Sequence, residues 1–129
     1  RLSGTVISNT VNISSRLESL TKQYKTAMII TKETLDRLSD PDSLNTRYLG
    51  MVQVAGVNEV KALYEILDCL DEERKKPRLK NAHDFREAIR QFHMGNPQSA
   101  AELMRKLDTK DKADPVPGKY LSYIDCGYL

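Results

Sequence analysis

Val11, Ser14, Leu17, Leu20 or Thr21, and Tyr24 recur at helical spacing near the start of the chain. Ser8 or Asn9 can cap this run, because a side-chain oxygen there accepts from the free first-turn N–H groups. A helix over about 9–24 is predicted. Ala27–Thr31, AMIIT, is short, apolar and β-branched, and reads as a strand. KETLDRL follows as one or two helical turns, and Ser39–Ser43, SDPDS, is dense in turn formers. Thr46–Gly56 and Glu59–Asp68 read as two further strands. So short a loop, with Gly56 free to take positive φ, makes them an antiparallel hairpin. Leu49, Met51, Val52 and Val54 put apolar side chains on both faces, so part of the sheet is expected to be covered on both sides.

The pattern then changes. DEERKK, Asp71–Lys76, mixes charge signs and reads as a solvated linker spanning 71–81. Beyond it, Ala82, Phe85, Ala88, Ile89 and Phe92 form one helical stripe that Gly95 ends. Asn96 caps the next helix with Pro97 at its first position, and Ala100, Ala101, Leu103, Met104 and Leu107 form its stripe. A third helix is predicted from about Pro117, with Tyr120, Leu121, Ile124 and Tyr128 available for packing. Two helices around a tight Gly-Asn-Pro turn, then a third, resemble one and a half tetratricopeptide units. An array needs about three repeats, so a capping or dimerising appendage is expected. The fold class is α+β: a helix, strand and hairpin over 1–70, a linker over 71–81 and a helical tail over 82–129.

Composition narrows the function classes. The chain has 129 residues, enough for one domain with a real core. Its 20 Lys and Arg against 18 Asp and Glu leave a net charge of +2, which gives no general attraction to nucleic acid or anionic membrane. Cys69 and Cys126 lack metal-type spacing and read as free thiols of a reducing compartment, so a cytoplasmic location is expected. No apolar run in this sequence approaches a membrane span, and no signal peptide is expected. The first residue is Arg rather than Met, so an engineered, processed or partial chain is expected.

Asn12 and Arg16 are four residues apart and share a helix face. A guanidinium offers several oriented donors and stays ionised, so it can stabilise charge developing on a phosphoryl group. An amide can hold a ribose oxygen or a water with either end. Other groups suggest less. His83 and His93 would lie roughly 15 Å apart along a helix and cannot share a metal. Tyr120, Tyr123 and Tyr128 read as packing residues, since no basic groove accompanies them. No Gly-rich phosphate loop or nucleophile motif is present.

The surroundings of Asn12 and Arg16 add a resemblance. TVISNTVNISSRLESL, from Thr5, resembles the segment T-V-I-x-D-x-V-N-x-A-S-R-L-E of class III nucleotidyl cyclases, which make cyclic AMP or cyclic GMP. AMIITKETLDRL is similar to that family's next strand and short helix. RYLGMVQVAGVNEVKALYEILD resembles its terminal hairpin, and FREAIRQFHMGNPQSAAELMRKL with KYLSYIDCGYL resembles the tail of many bacterial members. The resemblance implies the C-terminal part of a ferredoxin-like cyclase domain followed by that tail. It also implies head-to-tail dimers with active sites at the interface. One subunit's two aspartates hold two Mg or Mn ions on a nucleoside triphosphate, and the other subunit supplies an Asn and an Arg for the transition state. On this resemblance Asn12 orients the ribose, Arg16 contacts the α-phosphate, and Thr5 takes the base-selecting position, with ATP ahead of GTP.

This sequence departs from the family pattern in two places. The family's metal-binding aspartates and base-contacting lysine lie upstream of the helix, so this chain is expected to hold no metal ligand or cofactor of its own and to be inactive in isolation. The hairpin loop that normally reads K-G-K here reads Ala55-Gly56-Val57, and Lys61 is expected to face solvent. Losing a charge-assisted phosphate contact costs about 1.5–3 kcal/mol of binding. The expected partners are a second copy of the chain or the missing N-terminal half of the domain, which would cover open strand edges. A catalytically lapsed homology domain that serves dimerisation or regulation is the alternative.

Overall fold

The computed structural model describes residues 17–53 and 60–127. Helix α1 (17–23) is the described part of the predicted first helix. Its apolar side packs inward through Leu20 and Tyr24, both 2% exposed. Strand β1 (Ile29–Thr31) follows, then helix α2 (Lys32–Asp36), started by the Thr31 hydroxyl, which accepts from the Thr34 N–H. A 3₁₀ turn at Pro41–Ser43 leads into β2 (Thr46–Gln53), which pairs with β3 (Val60–Ile66). The three strands form one antiparallel sheet in the order β1-β3-β2. The protein is thus α+β, with every sheet contact made through the central β3.

Residues 72–80 are not a solvated linker. They form helix α3 (Glu72–Lys80), whose first free N–H groups are met by the Asp71 carboxylate, which accepts from Arg74. Glu72 and Glu73 lie in its first turn and Arg78 and Lys80 in its last, the distribution the helix dipole favours. Asp68 ties α3 to the start of β2. It accepts from the Asn45 backbone and side chain at 2.9 Å each and pairs with Lys75 at 2.8 Å.

Helices α4 (Ala82–His93), α5 (Pro97–Lys110) and α6 (Val116–Asp125) complete the chain. Phe85, Ala88, Ile89 and Phe92 of α4 are buried, as the spacing predicts, and so are Ala100, Ala101, Met104 and Leu107 of α5. Leu103 is only partly covered. Gly95 has φ 81, as expected of the residue after a helix. A single apolar cluster joins Leu20 and Tyr24 to Leu49 and Leu63 of the sheet and to Phe85, Met104 and Tyr120 of the tail. The tail is therefore built into the same core as the sheet.

Leu49 is buried, whereas Met51, on the other face beyond a bulge, is 45% exposed; the successive residues Glu65 and Ile66 of β3 are both buried, so part of the sheet is covered on both sides, as expected. Between Tyr48, opposite Tyr64, and Gly50, opposite Leu63, β2 carries the extra residue of a bulge. Gly50 has φ +101, and a Cβ there would lie 2.0 Å from the Tyr120 hydroxyl. That hydroxyl donates to the Leu49 carbonyl at 2.5 Å, and burial keeps it protonated by raising its pKa well above the usual phenol value. Tyr120 and His93 thus each bond a backbone group of β2 beside the bulge, so the tail meets this edge strand. Gly50→Ala is expected to destabilise the protein by about 3 kcal/mol, from backbone strain and overpacking together. Chemical denaturation checks this, with Tyr120→Phe in the same background relieving part of the loss.

Candidate functional site

Thr5, Asn12, Arg16 and the loop Ala55, Gly56 and Val57 lie outside the described residues. The structure describes α1 from residue 17 onward and the two strands β2 and β3.

Around these elements four charged side chains are no more than 4% exposed: Arg47, Glu65, Arg78 and Asp114. Arg47 Nε donates to Glu65 Oε1 at 2.7 Å across the β2–β3 pair, and its Nη1 donates to Asp114 Oδ2 at 2.5 Å. Arg78 donates to the other oxygen of Glu65 and lies 3.8 Å from Asp114. Asp114 Oδ1 accepts from the Val116 N–H at 3.1 Å, which fixes the start of α6. The Arg47 guanidinium also lies 4.5 Å from the centre of the Phe85 ring. Burial works against the Arg47 charge, and Asp114 and Glu65 outweigh it, so its pKa stands above the usual guanidinium value. Two cations and two anions balance, which is the condition under which such a group is tolerated in a core.

A second feature is an open groove of about 610 Å³ between the exposed sheet face and α4. Tyr48 and Tyr64 form its floor, with ring centres 5.2 Å apart. Arg86 lies over Tyr48 at 5.0 Å. Burial and Tyr64 push the Tyr48 pKa up, with Arg86 opposing. On the rim, Arg90 pairs with Glu87 at 2.6 Å, and Gln91 donates to the same carboxylate at 3.0 Å. Those bonds hold Glu87 down to about 2.

His83 is exposed, and His93 serves the sheet, because its Nε2 accepts from the Met51 N–H at 3.1 Å. Only the neutral imidazole can accept there. Burial lowers the His93 pKa below 6.5, so the folded chain binds this proton less readily than the unfolded one. The stability His93 contributes is therefore complete above the unfolded value and is lost as pH falls through the folded one. His93→Gln, which keeps an acceptor but does not titrate, is expected to flatten the decline in stability between about pH 7 and 5. Urea midpoints across that range check this.

Lys61 is partly buried and reaches Glu33 at 3.7 Å, rather than simply facing solvent. Tyr120 and Tyr123 stack edge to face at 5.5 Å within the tail, as packing residues do, and Tyr128 lies outside the described residues. Cys69 and Cys126 are exposed free thiols. The described residues do not fit a divalent cation. They bring no three His, Cys, Asp or Glu side chains together, and the buried carboxylates Glu65 and Asp114 are both occupied by arginine. No described helix is long and apolar enough to cross a membrane.

Over 67 residues, 51% of the chain, the sequence is 40% identical to an adenylate cyclase of Anabaena cylindrica. The chain is similar to adenylate cyclases. A second relative, the terminal-differentiation-specific adenylate cyclase of Dictyostelium discoideum, is 30% identical over 81 residues, 62% of the chain. The matched stretches make up 13% and 4% of these relatives, so the chain spans a small part of their length. No protein-family profile matches the chain. No solved structure matches it either.

Proposed function

We propose that this chain is the C-terminal portion of a class III nucleotidyl cyclase homologue, with a helical tail related to tetratricopeptide units. Its parent converts ATP, ahead of GTP, to the 3′,5′-cyclic nucleotide and pyrophosphate in cytoplasmic signalling. The observation that carries this reading is the 40% identity to an adenylate cyclase over 67 residues. The order of the helix, strand and hairpin motifs supports it. In the reaction the ribose 3′-oxygen forms a bond to the α-phosphorus, the bond to the bridging oxygen breaks, and pyrophosphate leaves. Arg16 offsets the charge that grows on the α-phosphoryl oxygens, and Asn12 orients the ribose. Thr5 faces the base. The site is completed by a second copy of the parent, so the parent works as a dimer.

The alternative, a lapsed homology domain with a dimerising or regulatory role, is favoured by one feature: Ala55-Gly56-Val57 stands where the family carries its phosphate-binding lysine. The two readings part on one experiment. Full-length protein incubated with ATP or GTP and Mn²⁺ is expected to yield cyclic AMP. Absence of product from both nucleotides leaves the lapsed-domain reading standing.

A further inference from the structure

The C-terminal end of α1 closes with two backbone bonds, Thr26 N–H to Thr21 O at 3.0 Å and Lys25 N–H to Lys22 O at 3.3 Å. Lys25 has φ 49, the left-handed conformation this closure needs. The closure uses the Thr21 and Lys22 carbonyls and leaves those of Tyr24 and Lys25. Arg78 Nη2 donates to both, at 3.5 and 3.2 Å. The same guanidinium holds Glu65 through Nη1. Glu65 holds Arg47, and Arg47 reaches Asp114 in the connection between α5 and α6. One side chain from α3 therefore grips the end of α1, the central strand and, through Arg47, the tail.

We infer that Arg78 is a positioning residue for the proposed reaction: it fixes the helix that follows Arg16 and couples its position to the helical tail. This rests on the reading of Asn12 and Arg16 given above. The physical basis is the guanidinium fork. Its donors leave one plane in fixed directions, so it can bond a carboxylate on one side and two helix-end carbonyls on the other. A lysine has one nitrogen and cannot hold all three in that geometry. The positive end of Arg78 also suits the carbonyl end of a helix. With this grip lost, α1 is free to shift along its axis, and a displacement of about 1 Å in a group that stabilises a transition state costs roughly 10²-fold in rate.

The variant that tests this is Arg78→Lys in the full-length protein. It keeps the buried cluster neutral, whereas Arg78→Met leaves two carboxylates sharing one cation and endangers the fold. The expected result is a kcat roughly ten- to a hundredfold lower with KM within about twofold, the signature of an interaction felt in the transition state. Amide exchange at Tyr24 and Thr26, whose N–H groups bond to Leu20 and Thr21, is expected to quicken by about tenfold. With an active wild type, kcat decides: an unchanged value overturns the inference. If the wild type makes no product, the functional reading fails separately and exchange decides: faster exchange supports the grip on α1, and unchanged exchange overturns it.

Discussion

Glu65→Gln is expected to remove about 3–5 kcal/mol of stability. The change keeps the shape of the side chain and removes its charge. Glu65 is fully buried and is the one group that bonds both arginines of the cluster through separate oxygens. In the variant, Arg47 and Arg78 face a single carboxylate, that of Asp114, and the core carries an uncompensated positive charge. An unpaired buried charge costs far more than the pair contributed, which is why the loss is expected to exceed that of any surface ion pair, such as Lys32–Asp36 at 3.3 Å. Against a total of about 5–15 kcal/mol for a domain of this size, the loss is about a fifth or more of what holds the chain folded. At about 2 kcal/mol per molar urea, the unfolding midpoint falls by about 2 M. Because the cluster joins β2, β3, α3 and the α5–α6 connection, sheet and tail are expected to unfold in one transition before and after the change. A midpoint shift under about 0.5 M, equivalent to about 1 kcal/mol on the same slope, or a tail that melts separately, contradicts this account of the core.

Periodicity made most of the fold legible. The stripe from Phe85 to Phe92, the Gly95 stop and the helix start at Pro97 each stand where a local cause places them, although the Asn96 side chain makes no cap bond and its amide donates to Gln91 instead. Helix α3 was hidden because it has almost no apolar face. Its signals were Asp71 as cap and the acids-first, bases-last order of EERKKPRLK, set against Pro77 in its interior. The burial of Arg78 had no local signal at all. It depends on Glu65, thirteen positions away, and on the Tyr24 and Lys25 carbonyls just after α1, more than fifty away. Arg47 pairs with Asp114 across 67 positions, a match that no reading of neighbouring residues reaches. The exposure of Met51 has a related cause: alternation shows which residues share a face, and the bulge after Tyr48 together with tertiary packing decides which of them is covered. Asn12 and Arg16 lie outside the described residues and stand out only through the resemblance of their segment, since a four-residue spacing by itself recurs by chance.

Arg16→Ala in the full-length protein carries the largest expected effect on activity. The guanidinium is assigned to charge that appears on the α-phosphoryl oxygens as the 3′-oxygen attacks. Such a donor acts more on the transition state than on the bound substrate, so its loss should appear in kcat with KM little changed. Removing one preorganised donor of this kind costs roughly 10²–10³-fold in rate. The effect should come without loss of fold, because the described contacts that seat α1 run through Leu20, Tyr24 and the Arg78 grip. An Arg16→Ala protein with an unchanged urea midpoint would show that the missing rate is chemical. The decisive measurement is therefore the rate of cyclic AMP formation from ATP by wild-type and Arg16→Ala full-length protein at matched folded concentration. The account predicts product from the wild type and a loss of about 10²–10³-fold in the variant; equal rates, or no cyclic nucleotide from the wild type with either ATP or GTP, would contradict it.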